Sequence, residues 1–281
     1  MSAPGALHVV SVCSIGRREH LLRQLEGLRR WAPRAVHHTV LIGAEAFGVP
    51  GSRLVDRTGP GPVNLAAARN AAGDAAAADG AETIVFLDAD CIPGPGLCAA
   101  YERAVDAWSA AEGPAVLCGA VTYLTRQDRG CALERLPELT APHPARPHLP
   151  DGEHRVATEE QRVLFWSLSF ALSAAGWRAL RAGFGGFCED FTGYGGEDTD
   201  FAMSLRRRGA PMVWVGGADA YHQWHPVSSP PVEHRDDILR NAAVFHDRWG
   251  WWPMEGWLAA FAQRGIARFD GERWVPTGAG G

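Results

Sequence analysis

Two aspartates stand two residues apart, at Asp88 and Asp90, directly after the apolar run Thr83 to Leu87 (TIVFL). Residues at i and i+2 of an extended chain point the same way, so these carboxylates repel one another unless a cation lies near them. Oxygen donors of this kind suit Mg²⁺ or Mn²⁺. An Asp-x-Asp also closes many strands with no ion at all, so its weight comes from its setting: a buried strand before it and Pro93 after it. A second acidic group sits in Gly193-Tyr194-Gly195-Gly196-Glu197-Asp198-Thr199-Asp200-Phe201. Acids at a helix N-terminus are ordinary capping. Three glycines just ahead of them are not required by capping and point to close approach of the backbone to a ligand. A carboxylate there can take a proton from a hydroxyl.

Two further groups join these. In Asn64 to Asn70 (NLAAARN), Asn64 caps a helix whose first N–H groups, with the cation of Arg69, can hold a phosphate. A surface arginine on an alanine-rich helix is an equally good reading of Arg69 alone. In Ala220 to Pro226 (AYHQWHP), a strand ends in two histidines. An imidazole beside the Asp90 carboxylate suits Mn²⁺, and His222 is placed ahead of His225 for that role. A lone histidine is otherwise a satisfied polar residue.

The elements that position these groups alternate between strand and helix. Strands are predicted at Leu7 to Cys13, His38 to Ile42, Thr83 to Leu87, Ala115 to Leu124 and Pro211 to Val215. Helices are predicted at 17–31, 65–78, 96–111, 174–182, 199–208, 235–249 and 254–263. That rhythm implies an α/β fold, a mostly parallel sheet covered by helices, with ligands at the carboxyl ends of the strands. Asp88 and Asp90 fall at such an end. The stretch 137–160 is rich in proline and polar residues and is predicted to be a long surface loop. One domain over 1–281 is expected, with a nucleotide-binding half at 7–125, an acceptor half at 160–250 and a C-terminal helix and tail at 250–281.

Composition bounds the partners. The 281 residues are 46% hydrophobic and 21% charged, enough apolar material for a buried core. The net charge is -5 and the densest basic run, Arg206 to Arg208, sits where a helix ends, so nucleic acid is not expected as a partner. The six cysteines show no zinc spacing, no apolar run is long enough to cross a membrane, and residues 1–7 lack the features of a signal peptide. A cytoplasmic location is expected.

Taken in order, these motifs resemble the GT-A fold glycosyltransferases (nucleotide-diphospho-sugar transferases, Rossmann-like). The first half is similar to the inverting family 2: a strand opening into Cys13-Ser14, then Ala68-Arg69-Asn70, then Phe86 to Asp90 (FLDAD). The second half resembles the segment shared by β-1,4-galactosyltransferases and polypeptide N-acetylgalactosaminyltransferases, whose aromatic-Gly-Gly-Glu-Asp run matches Tyr194 to Asp198. The AYHQ of Ala220 to Gln223 is similar to the metal-histidine segment of bacterial chondroitin-type polymerases.

The resemblance implies an inverting, metal-dependent transfer of a hexose or N-acetylhexosamine from a nucleotide diphosphate sugar, UDP-linked by preference. The acceptor would be a hydroxyl of a glycan, peptide or small molecule. It implies Mn²⁺ or Mg²⁺ on Asp90 and His222, with Asp88 at the ribose or the metal. Asp198 would be the base and Glu197 would orient a sugar. Cys13, Ser14, Arg17, Glu45, Arg69 and Ala89 would line the donor site. Trp166, Tyr194, Gly195, Gly196, Trp224 and His225 would line the sugar or acceptor pocket. Glu45 stands where family 2 members carry an acid for the base, within Gly43-Ala44-Glu45 rather than their Asp-Asp-Gly-Ser. A sugar-nucleotide nucleotidyltransferase would begin with a glycine-rich basic loop, whereas Cys13 to Arg18 has one glycine. A non-catalytic sugar-nucleotide-binding protein would not be expected to keep Asp90, Asp198 and His222 together.

Overall fold

The structure, a computed structural model, describes residues 6–109 and 113–277. In chain order it runs β1 (Leu7–Ser14), α1 (Arg18–Trp31), β2 (Val36–Ile42), β3 (Arg53–Asp56), α2 (Leu65–Ala78), β4 (Thr83–Leu87), β5 (Cys91–Pro93) and α3 (Leu97–Ser109). It continues with β6 (Val116–Cys118), β7 (Val121–Tyr123), β8 (His154–Val156), β9 (Ser169–Ser173), α4 (Ala174–Phe184) and α5 (Glu197–Arg208). The last elements are β10 (Met212–Val215), β11 (Ala220–His222), α6 (Arg235–Trp249), α7 (Glu255–Gln263), β12 (Ala267–Phe269) and β13 (Trp274–Pro276). The helix expected over 96–111 is seen to Ser109; residues 110 and 111 lie outside the described part, as do residues 1–5 and 278–281.

Eight strands form the central sheet in the order β3-β2-β1-β4-β9-β6-β10-β8. β3, β2, β1 and β4 are mutually parallel, as is the pair β6 and β10. β9 enters antiparallel between β4 and β6, and β8 closes the far edge antiparallel to β10. Alternation along each strand divides the core between the two faces. Val10, Ile84 and Phe86 pack on one side with α2 and α4, while Val9, Cys13, Val85 and Leu87 pack on the other with α1 and α3. The alanines of α2 let it lie close to the sheet and to α4. A Cβ at Gly73 would stand 2.4 Å from the Trp177 ring, so that crossing admits no side chain there.

Three expectations change. The run Ala115 to Leu124 is two strands, because the chain bends out of the central sheet at Gly119. There the backbone passes so close to Ala218 that a Cβ would meet the Ala218 carbonyl at 2.1 Å. β7 instead joins β11 and β5 in a second, three-stranded sheet. The stretch 137–160 is a mostly exposed loop, as expected, but it is anchored rather than free. Thr140 Oγ1 pairs with the Tyr221 hydroxyl at 2.7 Å, the His143 N–H donates to Val121 O at 3.2 Å, and Arg146 is 4% exposed. Within it, His154–Val156 form β8. Finally, α5 begins at Glu197 rather than Thr199, so Glu197 and Asp198 belong to its first turn. Among the described residues no helix is long and apolar enough to cross a membrane.

Candidate active site

The Asp88-Ala89-Asp90 turn is fixed from below by polar groups that carry no motif. Ser11 Oγ donates to Leu87 O at 2.7 Å, and the fully buried Gln24 donates through Nε2 to Asp88 O at 2.7 Å and Cys91 O at 2.9 Å. The Gln223 N–H donates to Asp90 O at 2.7 Å, tying the turn to the residue after β11. β11 therefore delivers its histidines to the aspartate. His222 Nε2 lies 3.5 Å and His225 Nε2 3.4 Å from Asp90 Oδ2. Both histidines thus reach the aspartate, and Asp90, His222 and His225 form a group whose ligand atoms lie within 4.8 Å of one another. One carboxylate oxygen and two imidazoles fit a divalent transition ion such as Mn²⁺. Arg17 sits beside them, Nε 3.6 Å from Asp90 Oδ2 and Nη2 3.2 Å from His225 Nδ1. Burial works to raise the Asp90 carboxyl, but contact with His225 and the positive potential of His222 and Arg17 outweigh it and hold Asp90 below the usual range. Burial lowers His222, against the pull of Asp90.

Asp88 turns the other way, toward Arg69. The surface-arginine reading fails here, since Arg69 is 6% exposed. Its Nη1 donates to Glu197 Oε1 at 3.0 Å and lies 3.6 Å from Asp198 Oδ1, while Nη2 lies 3.6 Å from Asp88 Oδ1. One guanidinium thus joins the strand-end aspartate to both acids of the glycine-rich segment. Desolvation first, then the neighbouring carboxylates, pushes Asp88 and Glu197 up, against the pull of Arg69. The group holds three acids and one arginine, so it carries excess negative charge.

The glycine-rich segment is suspended from three sides. The Gly193 N–H donates to Val63 O at 2.6 Å. Asn241 of α6, fully buried, donates through Nδ2 to Gly195 O at 2.8 Å, Thr192 O at 3.0 Å and Tyr194 O at 3.2 Å. Gly196 caps α5 at φ +95°, a conformation open to glycine, and a Cβ there would lie 2.9 Å from the Phe191 ring. The acids then divide by turn. Asp200 is fully buried and accepts from Arg248 Nε at 2.6 Å and Trp249 Nε1 at 2.7 Å, which joins α5 to α6. Asp198 Oδ2 accepts the Ser167 N–H at 3.0 Å, whereas its Oδ1, buried, has no hydrogen-bond partner among the described residues. Ser167 Oγ and Arg69 Nε are likewise buried and unpartnered. Three orphaned polar atoms on neighbouring residues suit a ligand rich in hydroxyls.

The remaining candidates are placed as follows. Tyr194, 38% exposed, stacks on His234 at 4.5 Å and on Trp257 at 5.9 Å. Trp166 adjoins Ser167 and packs edge-on against His143 at 5.0 Å. Ser14 ends β1 and Arg17 follows it at the Asp90 end, while the Cys13 side chain is buried and its thiol is pushed up to about 12 by burial, so only its backbone can meet a ligand. Ala89 is buried inside the turn. Glu45 lies in an exposed loop after β2, with no ion-pair or hydrogen-bond partner among the described residues. Trp224 is not gathered to the acids: it lines a separate cavity of about 170 Å³ with His20, Arg23 and Cys131. Gln24, Ser167 and Asn241 are the residues that the sequence reading missed.

This is the fold of the GT-A glycosyltransferases. The structure of S. aureus TarS aligns over 93% of this chain and 43% of that one, with TM-score 0.57 and 13% identity. The fragment TarS 1-349 aligns over 85% and 64%, with TM-score 0.54 and 12% identity. GalNAc-T7, solved with UDP, GalNAc and Mn²⁺, aligns over 94% and 57%, with TM-score 0.54 and 13% identity. In sequence, 82 residues are 41% identical to validoxylamine A glucosyltransferases of Streptomyces hygroscopicus subsp. jinggangensis (strain 5008) and subsp. limoneus. That match is 28% of this chain and 16% and 15% of the two relatives, so the chain spans a small part of their length. No family model matches the chain.

Proposed function

We propose that the chain is an inverting, metal-dependent glycosyltransferase. In this reading it moves a hexose or N-acetylhexosamine from a UDP-sugar to a hydroxyl of a glycan, peptide or small molecule. It does so as one domain, with a nucleotide half at 7–125 and an acceptor half at 160–250. The observation that carries this is the single guanidinium of Arg69, within 3.6 Å of Asp88, Asp198 and Glu197, because it joins a donor-side aspartate to a candidate base in one cluster. The UDP and Mn²⁺ with which GalNAc-T7 was solved support the donor class, and the glucosyltransferase name of the partial relatives favours glucose.

Asp90, His222 and His225 would hold the cation, with Asp88 at the ribose side. Bound there, Mn²⁺ or Mg²⁺ neutralises the charge that develops on a departing diphosphate. Asp198, fixed through Oδ2 by the Ser167 amide, presents Oδ1 to the acceptor and takes its proton. The freed oxygen attacks the anomeric carbon from the face opposite the diphosphate, the new C–O bond forms as the old one breaks, and configuration inverts. Glu197 and Arg69 orient the sugar hydroxyls, and Tyr194 covers the sugar with its ring.

The test is a thermal-shift panel of UDP, GDP and dTDP, with CMP as control, with and without Mn²⁺. A ligand that binds the folded chain must raise Tm by mass action. UDP is expected to stabilise only with metal present. No shift with any diphosphate would overturn the donor site.

A further inference from the structure

We propose a second transition-metal site, of the kind that takes Zn²⁺, formed by His8, His38 and Asp79 at the end of the sheet remote from Asp90. His8 is the second residue of β1, and six residues of strand at ~3.3 Å each, about 20 Å, separate it from Ser14 at the other end. Parallel pairing puts Val10 opposite His38, so His8 and His38 lie diagonally on one face of the sheet. Asp79 is the residue at which α2 ends, directly over that face.

The donor atoms form a compact triangle. His8 Nδ1 and His38 Nε2 are 3.0 Å apart, His38 Nε2 and Asp79 Oδ2 are 3.3 Å apart, and His8 Nδ1 and Asp79 Oδ2 are 3.8 Å apart. Tetrahedral Zn²⁺ with bonds of about 2.0–2.1 Å holds its ligand atoms about 3.3 Å from one another. The three observed edges bracket that length. Both imidazoles are buried, at 2% and 3% exposed, while the Asp79 side chain is 35% exposed, so an ion has a path from solvent past the carboxylate. In the metal-free protein the guanidinium of Arg53, itself half exposed, contacts that carboxylate from the solvent side. Arg53 is thus a competitor that must swing away, and a fourth ligand position is left for water. A bound ion would tie β1, β2 and α2 together and stabilise the folded chain.

The alternative is a hydrogen-bonded histidine pair capped by an Asp79–Arg53 ion pair, with no affinity for metal. Co²⁺ and Zn²⁺ titrations of the full chain separate the two, made on an Asp90→Asn background that disables the first site. The expected result is one equivalent of Co²⁺ with the visible absorption of a tetrahedral N/O site, and a rise in Tm with Zn²⁺. Asp79→Asn and His38→Gln should remove both signals. Asp79→Asn, on the surface, serves should His38→Gln fail to fold. Arg53→Ala should tighten Zn²⁺ about tenfold by removing the competing cation, one step of about 1.4 kcal/mol. No binding on the Asp90→Asn background overturns the site. So does binding that survives Asp79→Asn, or an Arg53→Ala variant that loses stability without binding metal more tightly.

Discussion

The two oxygens of Asp198 are in different situations, and that difference decides what the residue can do. Oδ2 is spoken for by the Ser167 amide, and Oδ1 has no hydrogen-bond partner among the described residues, with Arg69 Nη1 3.6 Å away. Replacing the carboxylate by an amide keeps shape and the capacity to accept at one atom but removes the basic oxygen. Asp198→Asn is expected to lower kcat by about 10²–10⁴, the range of a lost general base, while the Kd for UDP with Mn²⁺ stays near wild type. A variant with near wild-type kcat would remove Asp198 from the base role. The histidines make a separate prediction. His222 and His225 stand at nearly equal distance from Asp90 Oδ2, so His222→Ala and His225→Ala should each raise the Mn²⁺ concentration for half-activation by about tenfold or more, one step of about 1.4 kcal/mol. An unchanged Mn²⁺ requirement in His225→Ala would leave His222 as the sole imidazole ligand. Asp88, Asp90, Glu197, Asp198 and His222 were legible because of what surrounds them: a buried strand before Asp88, three glycines before Glu197 and a second histidine after His222. Gln24 and Asn241 were not, because they act by gripping backbone carbonyls from inside helices, where a polar residue in a sequence has no distinguishing neighbourhood.

At the scale of elements, the site depends on holding an irregular segment in place. The chain from Thr192 to Gly196 forms no strand or helix turn up to its last residue, and Asn241 grips three of its carbonyls from α6 through one amide. Asn241→Leu keeps the volume and takes that donor from the Tyr194 and Gly195 carbonyls, while Thr192 O still accepts from Arg240, so it is expected to lower stability by about 1–3 kcal/mol in urea unfolding. Because the same segment carries Tyr194 and leads into Asp198, KM for the acceptor should rise together with that loss. Wild-type stability would mean that water replaces the amide and the segment is not held by α6. The same scale explains which elements could be read ahead. The helices bounded by Asn64, Gly209 and Gly250 follow from periodicity and caps. β5, β7, β8 and β11 are each three residues long and owe their extension to partners distant in sequence. The bend at Gly119 is likewise set by a backbone 99 positions away, at Ala218.

Across the whole molecule, the alternating strand and helix pattern made a mainly parallel sheet legible, and with it the end at which ligands bind. The insertion of antiparallel β9 between β4 and β6 was not, since a five-residue strand with three apolar residues between two serines carries no information about its neighbours or direction. The sheet also buries groups that make the fold sensitive to acid far from the site. His37 of β2 is 4% exposed and faces Ser11, Gln24 and Ser52 from β1, α1 and the turn before β3. Burial first, and then the neighbouring His38, pushes its pKa down to about 3. In the unfolded chain an imidazole takes its proton near ~6.5. Between those values the unfolded state binds the extra proton, so stability rises with pH there. The contribution of His37 is therefore complete above about 6.5 and is lost progressively as the pH falls toward 3. Over about pH 4.5–6.5 other buried groups titrate too, among them His38, pushed down to about 4, and Asp88, pushed up to about 7, so the share of His37 is the difference between wild type and His37→Gln. In that window the urea midpoint of the metal-free wild-type chain is expected to fall as the pH is lowered, and His37→Gln, which cannot take a proton, should flatten the slope. A slope that His37→Gln leaves unchanged would mean that the imidazole is protonated in the folded chain, and that the polar network around Ser11 and Gln24 is open to water.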